Sequence, residues 1–475
     1  MSKSYLKLLL ILTYFFLLFG SSFSQNAFNV FLEKDSLYRY NSTLKVLDSL
    51  VEVQKQRSYK PDTAFYRSYG KAEVINLNQM IYFALSNNPE LKTMQYKIEA
   101  QKNFAEEKSY LPDPMLEFEL DDIMSDFSQV GMINIYASQM FMFPGKLGLE
   151  RKAVLNNSGM MEYELRNMAV KMINMIKMDF YDLYFIEQKL QVNRDNKLIV
   201  QNLISAAESR YSVGKGMQQE VFKSQIELSK LNNEEYLLDR QKKNLLADLS
   251  RLTKVVIDEK TRIDYSSIDI NFLLDMDKFK LEGVNTDRLV NYALENRADL
   301  KAIENKIKMT RTDLEMSKLS RAPDFTLKLG YKTLPFEEKN AFSVMLGFNI
   351  PIAPWTSGKY DYSIQKNTIN VKSANEEYSA KKTEIRNEVI SAVNSLLSAK
   401  QTMNYYYTVL IPQSENSFKA TQYNYETNMT TSLDLLDSYK MYQESRLMFY
   451  ESVNMYLKMI ADVERATGMN FKNLN

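Results

Sequence analysis

Ala84-Leu85-Ser86-Asn87-Asn88-Pro89-Glu90-Leu91 returns further along the chain as Ala293-Leu294-Glu295-Asn296-Arg297-Ala298-Asp299-Leu300. The offset is 209, from 84 to 293, and keeping it carries Pro114 onto Pro323. After each of these prolines the chain alternates, as Met115-Leu116-Glu117-Phe118-Glu119-Leu120 and as Asp324-Phe325-Thr326-Leu327-Lys328-Leu329. Further on the offset drifts to 214, from 211 to 425. Tyr211-Ser212-Val213-Gly214 then meets Tyr425-Glu426-Thr427-Asn428, and Leu249 to Lys254 meets Val463 to Gly468. Two copies of about 200 residues are too long for a solenoid unit and read as a duplicated half-structure.

Each half has the same order. A helix is predicted from about Asn78 to Tyr110, and again from Asp287 to Ser320. Its apolar residues recur three and four apart: Leu91, Met94, Ile98 and Ala105, then Leu300, Ile303, Ile307 and Leu314. Two short alternating strands follow. A very long helix comes next, from about Leu147 to Tyr211 and from Asp361 to Tyr425, each reaching about 100 Å at ~1.5 Å per residue. A tight turn leads into a shorter return helix. Ile385, Val389, Ala392, Leu396, Ala399, Met403, Tyr406 and Leu410 step by four and three, the period of a left-handed coiled coil. Pro412 is expected to bend that helix locally.

The strands carry one greasy and one polar face. Phe325, Leu327, Leu329 and Tyr331 oppose Thr326, Lys328 and Gly330. Phe342, Val344, Leu346, Phe348 and Ile350 oppose Ser343, Met345, Gly347 and Asn349. Leu116, Phe118 and Leu120 oppose Glu117, Glu119 and Asp121. Taken alone, the pattern suits either a sheet packed on a soluble core or a barrel facing lipid outside and water inside.

The N-terminus bears on that choice. Lys3 and Lys7 precede the apolar run Leu8 to Phe19, and Ser22-Phe23-Ser24 supplies small residues. This reads as a secretory signal peptide over 1–24, with cleavage expected after Ser24. With no Cys after the run, a lipoprotein anchor is not expected. No later stretch approaches the ~20 apolar residues of a membrane helix, so the mature chain is soluble or spans as strands. Four strands cannot close a barrel, whereas three chains would supply twelve.

Composition excludes much chemistry. Among 475 residues there is no Cys and no His. That removes disulfides, thiol nucleophiles, imidazole bases and the usual zinc ligand sets. Carboxylate-only catalysis, for instance by Glu117 and Glu119, survives as a remote option. Lys plus Arg number 60 and Asp plus Glu 59, so bulk charge indicates no nucleic-acid partner. The 26 Met invite a soft-metal relay, but Met168, Met172 and Met175 fall in helical apolar stripes and read as core filler.

Over about residues 70 to 470 the chain resembles the TolC family of outer-membrane efflux and secretion channels. The resemblance rests on the duplicated Ala-Leu-x-x-Asn-x-x-Leu opening, on Tyr211 and Gly214 followed by Glu220, and on Glu464-Arg465-Ala466-Thr467-Gly468. It implies a mainly α, channel-tunnel fold without enzymatic activity or cofactor. Three chains would form a twelve-stranded barrel in outer-membrane lipid and a long α-helical barrel in the periplasm. It implies a periplasmic adaptor protein and an inner-membrane pump, of the resistance-nodulation-division type, as partners. An equatorial layer would take residues 25–76, the linker 255–285 and the tail 469–475, with the two repeats at 77–254 and 286–468.

The same resemblance implies site residues. Asp434 and Asp437 match the acidic ring at the inner aperture, and the structural alternative is a solvated helix start. Tyr425 and Glu220 match contacts that close the aperture, though the basic partner expected near Thr430 is missing. Asn428 replaces the usual Gly and tolerates the same left-handed backbone. Glu117, Glu119 and Lys328 would face the barrel lumen. Phe143-Pro144-Gly145-Lys146 resembles the heavy-metal efflux branch, which makes metal ions the expected cargo. General drug or small-molecule efflux and type I secretion are the alternatives. A secreted trimeric coiled-coil rod is the remote one.

Overall fold

The computed structural model describes residues 74–123, 130–274, 286–334, 339–351, 353–427 and 429–468. The expected signal peptide, the N-terminal equatorial segment up to residue 73, part of the linker, Asn428 and the tail lie outside the described residues. Among the described residues the chain is mainly helical, with one antiparallel sheet of four strands and one parallel pair of short strands. In the first half, β1 (Val74–Asn76), α1 (Leu77–Asn87) and α2 (Pro89–Glu107) lead to β2 (Met115–Ile123) and β3 (Val130–Phe141). Then come α3 (Lys146–Ser212) and α4 (Gln218–Thr253). The linker holds β4 (Arg262–Asp264) and α5 (Ile270–Leu274). The second half repeats the order: α6 (Thr286–Asn296), α7 (Ala298–Leu319), β5 (Phe325–Leu334), β6 (Lys339–Phe348), α8 (Ser357–Tyr405), α9 (Ile411–Glu426) and α10 (Ser432–Thr467).

The expected first helix of each half is two helices. Asn76 and Gln79 form a capping box that opens α1, with Asn76 Oδ1 accepting from the Gln79 N–H at 2.9 Å. The chain then leaves the helix at Asn88, at ψ 122°, because Pro89 disfavours a helical residue before it. Asn88 caps α2 by accepting from the Glu90 N–H at 2.8 Å. The second half breaks at Arg297, at ψ 130°, without a proline.

The long helix of the second half is also interrupted. A π turn spans Tyr406–Leu410, and the Ile411 N–H donates to the Tyr406 carbonyl. Proline lacks an N–H and its ring crowds the carbonyl four residues back, so one widened turn just ahead of Pro412 relieves the clash. Upstream, the buried stripe of α8 runs Ile385, Val389, Val393, Leu396, Ala399 and Met403. Val393 therefore takes the place expected of Ala392, and Tyr406 and Leu410 are only half-buried.

The 67-residue α3 is the spine. It packs against α2, α4, α7 and α10, burying Leu165, Ala169, Met172, Ile176, Phe180 and Leu183. Burying a side chain the size of Phe180 contributes about 1.5–3 kcal/mol. Met172 is core as expected and Met168 is half-buried, whereas Met175 is exposed. The duplication reaches the backbone. Both return helices end on a left-handed residue, Lys254 at φ 59° and Gly468 at φ 70°. Among the described residues no helix is long and apolar enough to cross a membrane.

Candidate functional site

The four strands form one antiparallel sheet in the order β2-β3-β5-β6, with β2 and β6 as edges. The register stacks Phe118, Ile135, Tyr331 and Phe342 in one row, and Leu116, Ala137, Leu329 and Val344 in the next. Directly opposed residues share a face, so this face is apolar across all four strands. It is uncovered: Phe118 and Phe342 are each 70% exposed within the chain. A soluble sheet would bury that face against its helices. Ile350, expected on it, is also exposed but lies beyond the end of β6.

The other face is polar. Glu117, Tyr136, Gly330 and Ser343 form one row, and Glu119, Asn134, Lys332 and Ala341 another. Lys328 pairs with Glu117, and its Nζ lies 4.1 Å from the Tyr136 ring centroid. Asn134 Nδ2 donates to Glu119 Oε2 at 3.1 Å. The structure thus brings the expected Glu117, Glu119 and Lys328 together on one face. The buried Tyr136 and Asn134 escaped the sequence reading. The signal for Tyr136 was Gly330, a lone glycine in a strand. A Cβ there would sit 2.7 Å from Tyr136 Cδ1, so only glycine lets the ring cross.

The strands join the helices through a polar knot. Lys146 Nζ donates to the Ala322 carbonyl and to Asp324 Oδ1, each at 2.8 Å, and the Phe143 N–H donates to the same oxygen at 2.7 Å. Asp324 N–H in turn donates to Asn349 Oδ1 at 2.5 Å. Burial raises the Asp324 pKa, but the Lys146 ammonium and the Phe143 N–H outweigh it and hold the group below its ordinary value. In Phe143-Pro144-Gly145-Lys146, the proline and glycine end the strand and the lysine ties the two halves' strand ends together.

At the far end of the long helices, Asp434 and Asp437 are both exposed near the start of α10. Asp434 is the third helical residue of a capping box. The Thr431 N–H donates to Asp434 Oδ2 at 3.0 Å, and the hydroxyls of Thr430 and Thr431 donate to it at 2.7 Å each. The Thr431 hydroxyl first, then the Thr430 hydroxyl and the Thr431 N–H, hold its pKa below the ordinary carboxylate value. Glu220 and Tyr425 serve two separate contacts. Glu220, buried at the start of α4, accepts from the Ser432 hydroxyl at 2.6 Å. The Tyr425 ring packs on the cluster of Val200, Leu203, Leu231, Leu435 and Leu436, with the Arg210 guanidinium 5.0 Å from its centroid. The cation beside Tyr425 is thus Arg210 of α3, and not a group near Thr430. Arg210 lies just before the Tyr211 repeat signature and was not singled out in the sequence. Among the described residues no group of three or more His, Cys, Asp and Glu is placed to hold a metal ion.

Residues 289–448 match the family model described as "Outer membrane efflux protein". Solved channel structures superpose on most of the chain. The Campylobacter jejuni CmeC outer-membrane channel shares 14% identity at a TM-score of 0.67, covering 86% of this chain and 89% of that one. CusC shares 13% at 0.68, covering 85% and 94%. The Vibrio cholerae outer-membrane protein VceC shares 14% at 0.67, covering 83% and 96%. The fold is that of the TolC-type outer-membrane efflux channels. No curated protein sequence matches the chain. The matched model and the superposed structures are of outer-membrane efflux proteins and channels. The uncovered apolar sheet face has the pattern of a barrel wall, with Glu117 and Glu119 on the opposite, polar face.

Proposed function

We propose that three copies of this chain close a twelve-stranded barrel and serve as a passive exit duct, fed by an inner-membrane pump through a periplasmic adaptor, with metal ions as cargo. The observation that carries the reading is the sheet itself. It has an apolar face bare across four strands, a charged face opposite, and two free edges that run antiparallel to each other. Two unpaired edges cannot persist in lipid, so copies must pair β2 of one with β6 of the next. An even strand count per chain keeps every junction antiparallel on closing the ring.

The lumen would then carry Glu117, Glu119 and Lys328. In this reading Asp434 and Asp437 ring the inner aperture, their carboxylates favouring cations, while Glu220–Ser432 and Arg210–Tyr425 hold the helix tips closed. The cargo assignment is supported by that acidic ring and by the Phe143-Pro144-Gly145-Lys146 resemblance. General small-molecule efflux is the second reading, favoured by the similar TM-scores of several differently named channels. Growth of a deletion strain on Cu, Ag, Zn, Co, Ni and Cd salts, beside dyes, detergents and antibiotics, separates the two. Sensitivity confined to metals supports metal efflux; sensitivity confined to the organic compounds overturns it.

A further inference from the structure

The return helix α10 has one exposed stripe of unusual composition. Of its residues Ser432–Thr467, only Asp434, Asp437, Met441, Glu444, Met448, Glu451 and Met455 are exposed. They follow one another by three and four, so they stand in a single line along the helix. The line is carboxylate twice, then thioether and carboxylate in strict alternation, with no basic residue. The methionines are 58%, 43% and 52% exposed, whereas Met ordinarily fills gaps in cores. Neither Glu444 nor Glu451 has an ion-pair partner within the chain among the described residues.

Neither packing nor the repeat accounts for the stripe. A helix–helix seam needs apolar residues at both positions of the heptad, and here every second place is an acid that would have to be stripped of water. The first half places Glu227, Lys230, Glu234, Leu237 and Gln241 at the positions 214 residues earlier, with no Met and with a cation among them. The duplicated architecture does not demand thioethers.

We propose that this stripe is a ladder of binding sites for soft monovalent metal cations, Cu(I) or Ag(I). A thioether is a neutral soft donor that suits such ions, and the ion's charge calls for an anion nearby. Residues three or four apart on a helix are neighbours at about 5–6 Å between Cβ atoms. Met441 therefore neighbours Glu444, Met448 stands between Glu444 and Glu451, and Met455 neighbours Glu451. One sulfur with one or two carboxylates makes each rung weak, and successive rungs two turns apart, about 10 Å, suit passage rather than storage. The rungs continue the line begun by Asp434 and Asp437. This proposal rests on the metal-ion reading and on those two carboxylates facing the lumen.

The test uses the full-length protein in detergent and Ag(I) alone, titrated calorimetrically as the nitrate. The variant Met441→Leu/Met448→Leu/Met455→Leu keeps side-chain size, and an unchanged oligomer mass reports its folding. Ag(I) affinity is expected to fall about tenfold or be lost in it, to weaken in Glu444→Gln/Glu451→Gln, and to persist in Met168→Leu/Met172→Leu. Wild-type Ag(I) binding in the stripe variant overturns the ladder, as does the absence of Ag(I) binding to the wild type. Growth tests fail separately. A deletion strain sensitive to Zn, Co or Cd, with Ag(I) binding intact in the stripe variant, sinks the ladder and leaves metal efflux standing. Binding lost in the variant, with no metal sensitivity in the strain, sinks metal efflux and the ladder's part in transport, and leaves only the stripe's Ag(I) binding.

Discussion

Asn88 and Arg297 stand 209 residues apart at the same corner of the two halves, and both break a helix in the same extended backbone. Asn88 sits at φ −66°, ψ 122°, and Arg297 at φ −63°, ψ 130°. Asn88 caps the helix that Pro89 opens, and its Nδ2 also donates to the Leu252 carbonyl at the end of α4, at 3.4 Å. Arg297 reaches the matching carbonyl and adds charged partners. Its guanidinium donates to both oxygens of Asp299 at 3.0 and 2.6 Å, to the Ala466 carbonyl at 3.0 Å and to Glu388. Glu388 also accepts from Arg465 at 2.5 Å, and Lys381 lies 3.2 Å from Asp299. One arginine thus fastens α7 to α8 and to the end of α10, which explains Arg465 in the closing signature.

Arg297→Ala should therefore destabilise the chain far more than Asn88→Ala. It leaves Asp299 and Glu388 partly buried with fewer partners, which costs about 3 kcal/mol, against about 1–2 kcal/mol for a lost cap and one neutral hydrogen bond. Thermal unfolding in detergent measures both. Equal losses would mean that the buried guanidinium is no more than a cap.

The acid Asp179 gives a pH dependence. Burial first, then the nearby Asp248 and Asp182, push its pKa up to about 6, against the opposing effect of Arg251 and Lys458. An acid with a raised folded pKa binds its proton more tightly in the folded state, so stability rises as pH falls from about 6 towards 4. Asp179→Asn should gain roughly 1–2 kcal/mol at pH 7, after allowance for its partial exposure, and should lose most of that gain between about pH 6 and 4. Asp299 and Glu388 act oppositely. Burial raises them but Arg297 prevails and lowers both, so their contribution is present at neutral pH and lost below about pH 4. An Asp179→Asn gain that stays the same from pH 7 down to 4 would contradict the Asp179 assignment.

Gly330→Val should drive a side chain into the Tyr136 ring and the Ser343 hydroxyl, at a cost of about 1–3 kcal/mol. The double variant Gly330→Val/Tyr136→Ala should recover part of that loss. Heat stability of the detergent-extracted oligomer is the readout, and no recovery would place the strain elsewhere.

Asp434→Asn with Asp437→Asn should weaken cation selectivity and block by multivalent cations in planar bilayers. Since Asp434 also caps α10, Thr431→Ala separates the roles: it removes a capping hydroxyl while leaving both charges. Unchanged reversal potential and block in the double variant would put the selective ring elsewhere.

The duplication, the alternating strands and the two long helices were legible because each is a periodic signal. The helix breaks were not. At Asn88 the apolar period runs on through a proline that belongs to the next helix, and at Arg297 the break depends on partners 91 and 169 residues away. Tyr136 and Asn134 were missed for the same kind of reason, since β3 shows its polar face only once the register to β2 and β5 is known. Nothing in the sequence sets the exposed methionines of α10 apart from buried ones, because periodicity alone does not say which stripe of a helix is covered.

Native mass spectrometry of the detergent-extracted protein tests the shared barrel most directly. A species of three chains is predicted, because four strands with two free edges need partners. A monomer or a dimer that retains the native fold would contradict it.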